Sequence, residues 1–560
     1  MDGRIIISLV FVALFIVILI FGIREERETK KKMYKKVKNE YGKKRKITDK
    51  SVNLFEHHKK FLADNYCVDN ITCNDIELNK LFSSVNHTRS SIGQEYLYYQ
   101  LKRGRLSPKE LEDFDRLVNF FSANAELRFS LLTYFESLGK NADIDIDRYF
   151  DKDKKRMDGS LAIHLLCWIF YIVAAILLFA YTGAGVIAVI FSISFGIFIY
   201  FGSKSKLTIL IDSAFYIVKL VEVSKSVSKL VAKTDEAILD KLSSDISEKA
   251  TSVSKALTSY KYVSLSATGS RNVLSSIVLY INMLLHLDIV LFRGIDKRLI
   301  EKEDDVRQLI DYLGAIEAAL AIDSYRTSLE VYCKPEFSNE LVIKDIYHPL
   351  LEDAVKNDVS LSKSMLITGA NASGKSTFLK AMALGTIMAQ TICTVCASSY
   401  KMPMLRTYTS MALKDNVQDG DSFFMAEIKS LKRIVDARTL DADRVICFVD
   451  EILKGTNTVE RIAASSQVTK YLVDSGVICV FATHDIELSA LLDDIINNVH
   501  FEEGESESKE DVCFTYKLME GPATSRNAIK LLGKLGMDAD LVGKAKNMAD
   551  RFETSREWAM

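Results

Sequence analysis

The residues best suited to chemistry form a glycine-rich segment that runs from Gly369 to Thr377 and reads G-A-N-A-S-G-K-S-T. The apolar run Met365–Ile367 precedes it, and Phe378–Met382 follows with the composition of a helix. A strand, a glycine-rich loop and a helix in this order are typical of a loop that binds nucleotide phosphates, because glycines let backbone N–H groups face the negative charge. We therefore predict a nucleoside triphosphate site in which Lys375 reaches the β- and γ-phosphates and Ser376 binds Mg²⁺.

Two further apolar runs end in side chains that could act on a phosphate. Val445–Val449 is followed by Asp450 and Glu451, and Val477–Ala482 is followed after one residue by His484. Parallel sheets bind ligands at the carboxyl ends of their strands, so these side chains should converge on the loop. We predict that Asp450 supports Mg²⁺ through water, that Glu451 polarises the attacking water, and that His484 senses the γ-phosphate. A purely structural role is the alternative for His484.

Length and composition limit the remaining possibilities. A chain of 560 residues is expected to form two or three domains, and its formal net charge of −1 gives no general attraction to nucleic acid. The nine scattered cysteines indicate reduced, buried thiols. Cys393 and Cys396 form a single CxxC without a second pair, so we predict no structural zinc. Only Pro108 precedes Pro335, which favours long helices.

Three apolar segments indicate a membrane protein: Ile5–Ile23, Leu161–Tyr181 and Val186–Phe201. The first is followed by a basic stretch without a cleavage pattern, which predicts an uncleaved anchor with its N-terminus outside. Thr182–Gly185 divides the other two, and basic residues flank them only at their outer ends, which predicts a hairpin with both ends in the cytoplasm. Because the last segment is short, a shallow or tilted hairpin remains an alternative, as does a buried hairpin of a soluble core. We predict a multi-pass membrane protein whose nucleotide-binding domain is cytoplasmic.

The basic stretch between Arg24 and Lys50 has two interpretations. It fits a segment that sets membrane topology and rests on anionic headgroups, at about 1 kcal/mol per basic side chain. An arm that binds nucleic acid is the other interpretation, but such an arm would compete with the nearby membrane.

The C-terminal part of the chain resembles the MutS family of DNA mismatch repair proteins from about Val342 to Phe552. The segments that carry the resemblance are His348–Leu350, Asn357–Val359, Ala389–Gln390, Asp419–Glu427, Asp450–Asn457, and Phe514 through Gly521 to Ile529. A weaker match, Asn74–Leu78 with Thr88–Gly93 and Leu97, looks like the start of the helical core of that family. The predicted fold class is thus an α/β P-loop ATPase domain of the ABC type, preceded by a mostly α-helical core and lever region with transmembrane helices.

The resemblance implies ATP and Mg²⁺ as ligands and a homodimer. The residues implied to bind nucleotide are Gly369, Asn371, Ser373, Gly374, Lys375, Ser376, Thr377 and Tyr516. Glu451 and His484 are implied to be catalytic, and Ser422 corresponds to a serine that reaches the γ-phosphate held by the other subunit. Tyr516 stands where the family stacks a ring on adenine, and an ordinary β-strand aromatic is the equal alternative.

The chain also departs from this family. The anchor and the lysine run occupy the place of the domain that reads mismatches, the connector domain has no counterpart, and Val459–Arg461 replaces an Asp-Gly pair. The predicted domains are an anchor (1–23), a basic linker (24–48), the first part of a helical core (49–160), a transmembrane hairpin (161–201), a second core and lever part (202–340), the ATPase domain (341–520) and a helix-turn-helix dimerisation segment (521–560).

Two functions follow as hypotheses. One is a membrane-anchored MutS-like ATPase that clamps on DNA, with doubtful mismatch specificity. The other is an ATP-driven conformational motor of a membrane-bound assembly that does not bind DNA. An export transporter is a weaker third possibility, since three short spans leave little room for a pore.

Overall fold

The structure is a computed structural model of the whole chain. It describes residues 3–140, 146–151, 161–234, 236–257, 280–361, 363–370, 373–411, 423–438, 444–504, 513–523, 529, 532–533 and 536–555. Among the predicted site residues, Asn371 and Ser422 lie outside these ranges.

The first part of the described chain is helical. Its helices span Gly3–Glu40, Glu56–Asp64, Asn70–Asp75, Leu78–Val85, Ser91–Lys102, Pro108–Ala123, Ala125–Leu138, Ile146–Phe150, Leu161–Ala180, Thr182–Val231, Ala237–Ala256, Leu287–Ile300 and Glu303–Ser328. Several of these helices pack around Glu303–Ser328, the central helix, which contacts Ser91–Lys102, Pro108–Ala123 and Ala237–Ala256. The central helix is buried at every position from Ile316 to Arg326, where three alanines leave room for its neighbours.

A buried carboxylate fixes the helix Ser91–Lys102 to the central helix. Glu317 accepts hydrogen bonds from the backbone N–H groups of Arg89 and Ser90, the latter at 2.8 Å, and from the hydroxyl of Ser90. The same hydroxyl caps the helix by accepting from the N–H of Gly93 at 3.1 Å. A Cβ at Gly93 would lie only 2.2 Å from the Glu317 carboxylate, so glycine is required there. This contact explains the glycine at position 93 in the weaker sequence match, Thr88–Gly93.

The apolar hairpin differs from its predicted form. The first leg ends at Ala180 and the second begins at Thr182, so the turn is shorter than the predicted Thr182–Gly185. The legs approach so closely that a Cβ at Gly185 would meet the Leu178 backbone at 2.2 Å. The second helix then continues without interruption to Val231, about 75 Å at about 1.5 Å per residue, and crosses the predicted boundary at 201/202. We call Thr182–Val231 the long helix.

By length and composition, two helices within the described residues could span a bilayer. They are Leu161–Ala180 and Thr182–Ser205, with 20 and 24 residues, so the second leg is longer than the predicted Val186–Phe201. The predicted first segment, Ile5–Ile23, lies in the helix Gly3–Glu40. Most of its side chains are outside the described part of the chain.

Two sheets form the C-terminal part. The strands are β1 Pro335–Phe337, β2 Leu341–Ile346, β3 Asn357–Leu361, β4 Ser364–Thr368, β5 Ser399–Met402, β6 Arg406–Ser410, β7 Val445–Asp450, β8 Ile478–Ala482, β9 Ile496–Gly504 and β10 Cys513–Glu520. The larger sheet has the order β10-β9-β4-β8-β7-β6, parallel except for the β10–β9 pair, and the smaller has the order β1-β5-β2-β3. The helices of this part are Lys375–Ile392, Phe423–Ala437, Thr458–Asp474, Glu487–Leu491 and Ala539–Ser555.

The strand order places the predicted motifs next to one another. β4, β7 and β8 are almost wholly buried runs, as expected for parallel strands covered on both faces. β8 lies between β4 and β7, so the segments that follow all three strands meet at one edge of the sheet. That edge carries the glycine-rich loop, Glu451 and His484.

Candidate functional site

The glycine-rich loop leaves β4 and leads directly into the helix that begins at Lys375. Gly369 (φ 143°) and Gly374 (φ 104°) adopt backbone conformations that side chains disfavour. The Lys375 ammonium donates to the carbonyl oxygens of Gly369 and Ala370, at 2.7 and 2.8 Å, and so folds back across the loop. The buried hydroxyl of Ser373 has no hydrogen-bond partner among the described residues. Within the described part of the chain, the lysine donates to loop carbonyls and the buried hydroxyl has no partner, which fits a loop built for an anion.

Burial lowers the pKa of the loop lysine. Desolvation lowers the pKa of Lys375 to about 8, although the carboxylates of Asp450 and Glu451 act in the opposite direction. An anionic phosphate beside this ammonium would favour its charged form. A ligand with high negative charge would therefore stabilise the charged form of Lys375 most strongly.

Ser376 and Asp450 meet across the end of the sheet. The Ser376 hydroxyl, in the first turn of the helix, donates to Asp450 Oδ2 at the tip of β7. Hydroxyl and carboxylate oxygens are the ligands that Mg²⁺ prefers. These two residues thus suit the cation that accompanies a bound nucleotide.

Glu451 sits at a strained position. Its φ is 64°, unusual for a residue with a side chain, and its N–H donates to Ala482 O at 2.9 Å, which binds it to the end of β8. The carboxylate lies 2.7 Å from His484 Nε2 and 3.3 Å from the ammonium of Lys454. Burial alone would raise the pKa of Glu451, but the hydrogen bond with His484 and the charge of Lys454 bring it below its usual value. Glu451 is therefore ionised, as a group that accepts a proton must be.

A second carboxylate supports the loop after Glu451. Glu427 is buried, and its two oxygens accept the backbone N–H groups of Lys454 (3.1 Å) and Gly455 (3.3 Å). This contact joins the helix Phe423–Ala437 to the loop. Glu427 ends the family-like segment that begins at Asp419, but its role as a support was not predicted.

Tyr516 projects from an irregular part of β10. The register with β9 shifts between Phe514 and Leu518, and Tyr516 has a φ of 55°. The Asn357 side chain holds this bulge, because its amide donates to Tyr516 O at 3.0 Å and its oxygen accepts from Leu518 N at 2.9 Å. The tyrosine ring lies beside the glycine-rich loop, 3.1 Å from where a Cβ on Gly374 would be.

These groups surround one cavity of about 490 Å³. Its lining includes most of the predicted site residues, namely Ser373, Gly374, Lys375, Ser376, Thr377, Asp450, Glu451, His484 and Tyr516. Gly369 lies next to the Lys375 ammonium. Lys454 and His348 also line the cavity and were not predicted as site residues.

The predicted absence of structural zinc concerns Cys393 and Cys396. The Cys393 thiol donates to Leu111 O at 3.4 Å, and Cys396 Sγ is 3.8 Å from the Tyr325 hydroxyl. Both cysteines are buried in the apolar interior.

One group with metal-ligating side chains, His57, His58 and Asp311, lies in the helical part. Arg307 is 3.1 Å from His57 Nδ1 and always donates, so His57 carries its proton on Nε2, where it faces Asp311. That proton occupies the lone pair that a metal would need.

Comparison with known proteins supports the sequence resemblance. The family model for MutS domain V matches residues 365–553. The DNA mismatch repair protein MutS of Lactobacillus delbrueckii subsp. bulgaricus is 30% identical over 262 residues, which cover 44% of this chain and 30% of that protein. The human MutS protein homolog 4 is 33% identical over 236 residues, 39% of this chain and 25% of that protein. The chain thus spans about a third or less of the length of the curated relatives it matches.

Proposed function

The chain belongs to the MutS family, and on that premise we propose that it is a membrane-anchored, Mg²⁺-dependent ATPase that acts as a dimer and binds DNA. The observation that carries the ATPase is the convergence of Lys375, Ser376, Asp450, Glu451 and His484 on one cavity beside a glycine-rich loop. The comparisons alone would not support the ATPase, because most of the length of each relative lies outside the aligned region.

In the proposed reaction, Lys375 and the loop N–H groups, including that of Asn371, bind the phosphates of ATP. Ser376 and Asp450 would hold Mg²⁺, which neutralises phosphate charge when bound. Glu451 accepts a proton from water as the water oxygen attacks the γ-phosphorus and the bond to the ADP oxygen breaks. His484, which contacts Glu451, would report the presence of the γ-phosphate. Lys375→Ala is expected to abolish ATP binding, which thermal stabilisation by ATP would measure.

The shared site is the part of the proposal that concerns Ser422. If this serine reaches the γ-phosphate bound by the partner subunit, Ser422→Ala should bind ATP normally but lose hydrolysis. Ser360→Ala, an exposed serine on β3, is the matched control. Equal turnover of both variants and the wild type would refute the shared site.

Anchoring in a membrane is supported by the exposed apolar surface of the hairpin. Phe179 is 95% exposed, Phe198 74% and Ile187 71%, and about a fifth of each candidate span is buried. Water disfavours so large an apolar surface, whereas a bilayer would cover it. The Gly3–Glu40 helix would add a third span, and its basic end docks on the core, where Lys36 pairs with Glu136 at 2.6 Å.

Labelling in intact cells tests this topology. A cysteine introduced at Gly183, in the hairpin turn, should react with an impermeant maleimide from outside. A cysteine at Ser475, beyond the helix Thr458–Asp474, should react only after permeabilisation. Protection of position 183 in both states would instead support a soluble, buried hairpin.

DNA as a partner is supported by the relatives named DNA mismatch repair protein. The test is binding of DNA to the full chain in detergent at several salt concentrations. A clamp that contacts several phosphates should weaken steeply as salt rises. If no binding occurs even at low salt, the motor of a membrane-bound assembly becomes the better proposal. Capture of ATP-bound dimers with Glu451→Gln would then identify the partner.

A further inference from the structure

Arg461 and Asp485 form a pair beside the candidate site that the proposed reaction does not use. Arg461 lies in the first turn of the helix Thr458–Asp474, and Asp485 directly follows His484. The guanidinium donates twice to the carboxylate, from Nε to Oδ2 at 2.7 Å and from its terminal nitrogen to Oδ1 at 2.6 Å. The side chains are 25% and 12% exposed, so water screens the pair only in part. A two-point contact of this kind fixes orientation as well as distance.

The pair closes a ring of contacts around Glu451. In one direction, the chain from Glu451 to Arg461 is fixed by Glu427, which accepts from the Lys454 and Gly455 N–H groups. It is fixed again by Asn457, which caps the helix by accepting from Glu460 N at 3.0 Å. Arg461 is therefore placed rigidly relative to Glu451.

In the other direction, the ring runs through His484. Thr483 N donates to Ile367 O of β4 at 3.0 Å, and Asp485 N donates to the Thr483 hydroxyl at 3.0 Å. These bonds hold the start of the loop to the sheet, while Arg461 holds its far side. His484 lies between them and is 34% exposed, with Nε2 2.7 Å from Glu451.

We infer that Arg461 is a positioning residue for hydrolysis: its contact with Asp485 holds the His484 loop in register with the segment that carries Glu451. This inference gives a role to Arg461, the last residue of the Val459–Arg461 segment, to which the proposed function assigns none. The inference rests on the proposed function, because it assigns Arg461 to the same reaction.

Steady-state ATP hydrolysis by the full chain in detergent tests the inference. Arg461→Ala should lower kcat by roughly 10- to 100-fold, as expected for a misplaced catalytic group, while KM changes less than about twofold. Arg461→Lys keeps the charge but loses the two-point contact, and should stay at least about fivefold below wild type. The exchanged pair, Arg461→Asp with Asp485→Arg, should recover part of the activity.

The control is Arg103→Ala, which removes a comparable Arg–Glu contact with Glu110, at 2.9 and 3.1 Å, in the helical part. It should leave kcat within about twofold of wild type. Equal losses in Arg461→Ala and Arg103→Ala, or full recovery by Arg461→Lys, would overturn the inference.

Hydrogen exchange separates this inference from the proposed function. Without ATP, Arg461→Ala should speed amide exchange in residues 483–491 by at least about tenfold, and Arg103→Ala should not. Unchanged exchange in that segment overturns the inference even if the protein hydrolyses ATP. If the wild type is as inactive as Lys375→Ala, the proposed function fails. Faster amide exchange of residues 483–491 in Arg461→Ala would still show that Arg461 holds the His484 loop.

Discussion

Raising the pH from 6.5 to about 9 is expected to remove a buried positive charge from the helical part and to destabilise it. His58 is 3% exposed and lies between two carboxylates, with Nδ1 2.9 Å from Glu95 and Nε2 3.0 Å from Asp311. Both ring nitrogens face acceptors, so the imidazole is doubly protonated. Four rings also face it: Tyr99 is stacked at 3.8 Å, His57, which also contacts Asp311, lies at 4.1 Å, and Tyr96 and Phe55 lie farther away at 6.0 and 6.3 Å.

The magnitude follows from the pKa. Burial alone would lower the pKa of His58, but the hydrogen bonds and charges of Asp311 and Glu95 raise it from 6.5 to about 9. At about 1.4 kcal/mol per pKa unit, the difference corresponds to roughly 3 kcal/mol. Solvent screening of Asp311, which is 36% exposed, reduces this to about 2 to 3 kcal/mol. Because the folded pKa is above the unfolded one, the stabilisation is complete below pH 6.5 and disappears as the pH rises through 9.

Thermal unfolding of the full chain in detergent, followed by circular dichroism from pH 6 to 9.5, measures the effect. Other groups also titrate in this range, so the informative quantity is the difference between the wild type and His58→Gln. This difference should be large at pH 6 and should shrink by about 2 to 3 kcal/mol toward pH 9.5. His57→Gln, the control, should keep the wild-type pH dependence, because His58 retains both carboxylates. A difference that stays constant with pH would refute the reasoning.

Two further predictions use matched pairs of substitutions. Gly93→Ala should destabilise the protein by about 1 to 3 kcal/mol, because its Cβ would meet Glu317 at 2.2 Å. The control is Gly202→Ala in the long helix, where a Cβ would have no described neighbour within 4 Å. This variant should be neutral or stabilising in the same thermal measurement. A destabilised Gly202→Ala would contradict this account. Tyr516→Ala should weaken binding of a fluorescent ATP analogue about 3- to 10-fold if the ring stacks on adenine. Met519→Ala, a comparably exposed residue of β10, is the control, and equal affinities would leave Tyr516 an ordinary strand residue.

Local sequence was sufficient to predict the strands and the loop of the candidate site. β4, β7 and β8 are each built around a continuous apolar run, because parallel strands that are covered on both faces favour apolar side chains on both faces. The glycine-rich loop is equally local, since Gly369 and Gly374 are needed for its backbone conformation. Asp450, Glu451 and His484 could be assigned to the site because each directly follows, or nearly follows, such a strand.

The helical part was less predictable from local sequence. The apolar segments and the scarcity of proline indicated long helices, but composition did not reveal that the hairpin turn is so short or that the long helix continues to Val231. The close approach at Gly185 depends on how Leu178 of the other leg packs against it. The match at Thr88–Gly93 was visible, but the reason for its glycine, the Glu317 carboxylate, lies more than two hundred residues away.

The sequence by itself determined the glycine-rich loop, the acidic strand end and the apolar segments, because each depends on neighbours within a few residues. Only the tertiary structure decided how these parts are supported: Glu427 beneath the loop after Glu451, Asn357 beside Tyr516, and Arg461 on Asp485. In each case a buried or partly buried polar group needs a partner, and the partner comes from a distant element. Such pairings leave no periodic pattern in the sequence, since they arise only when folding brings the two elements together.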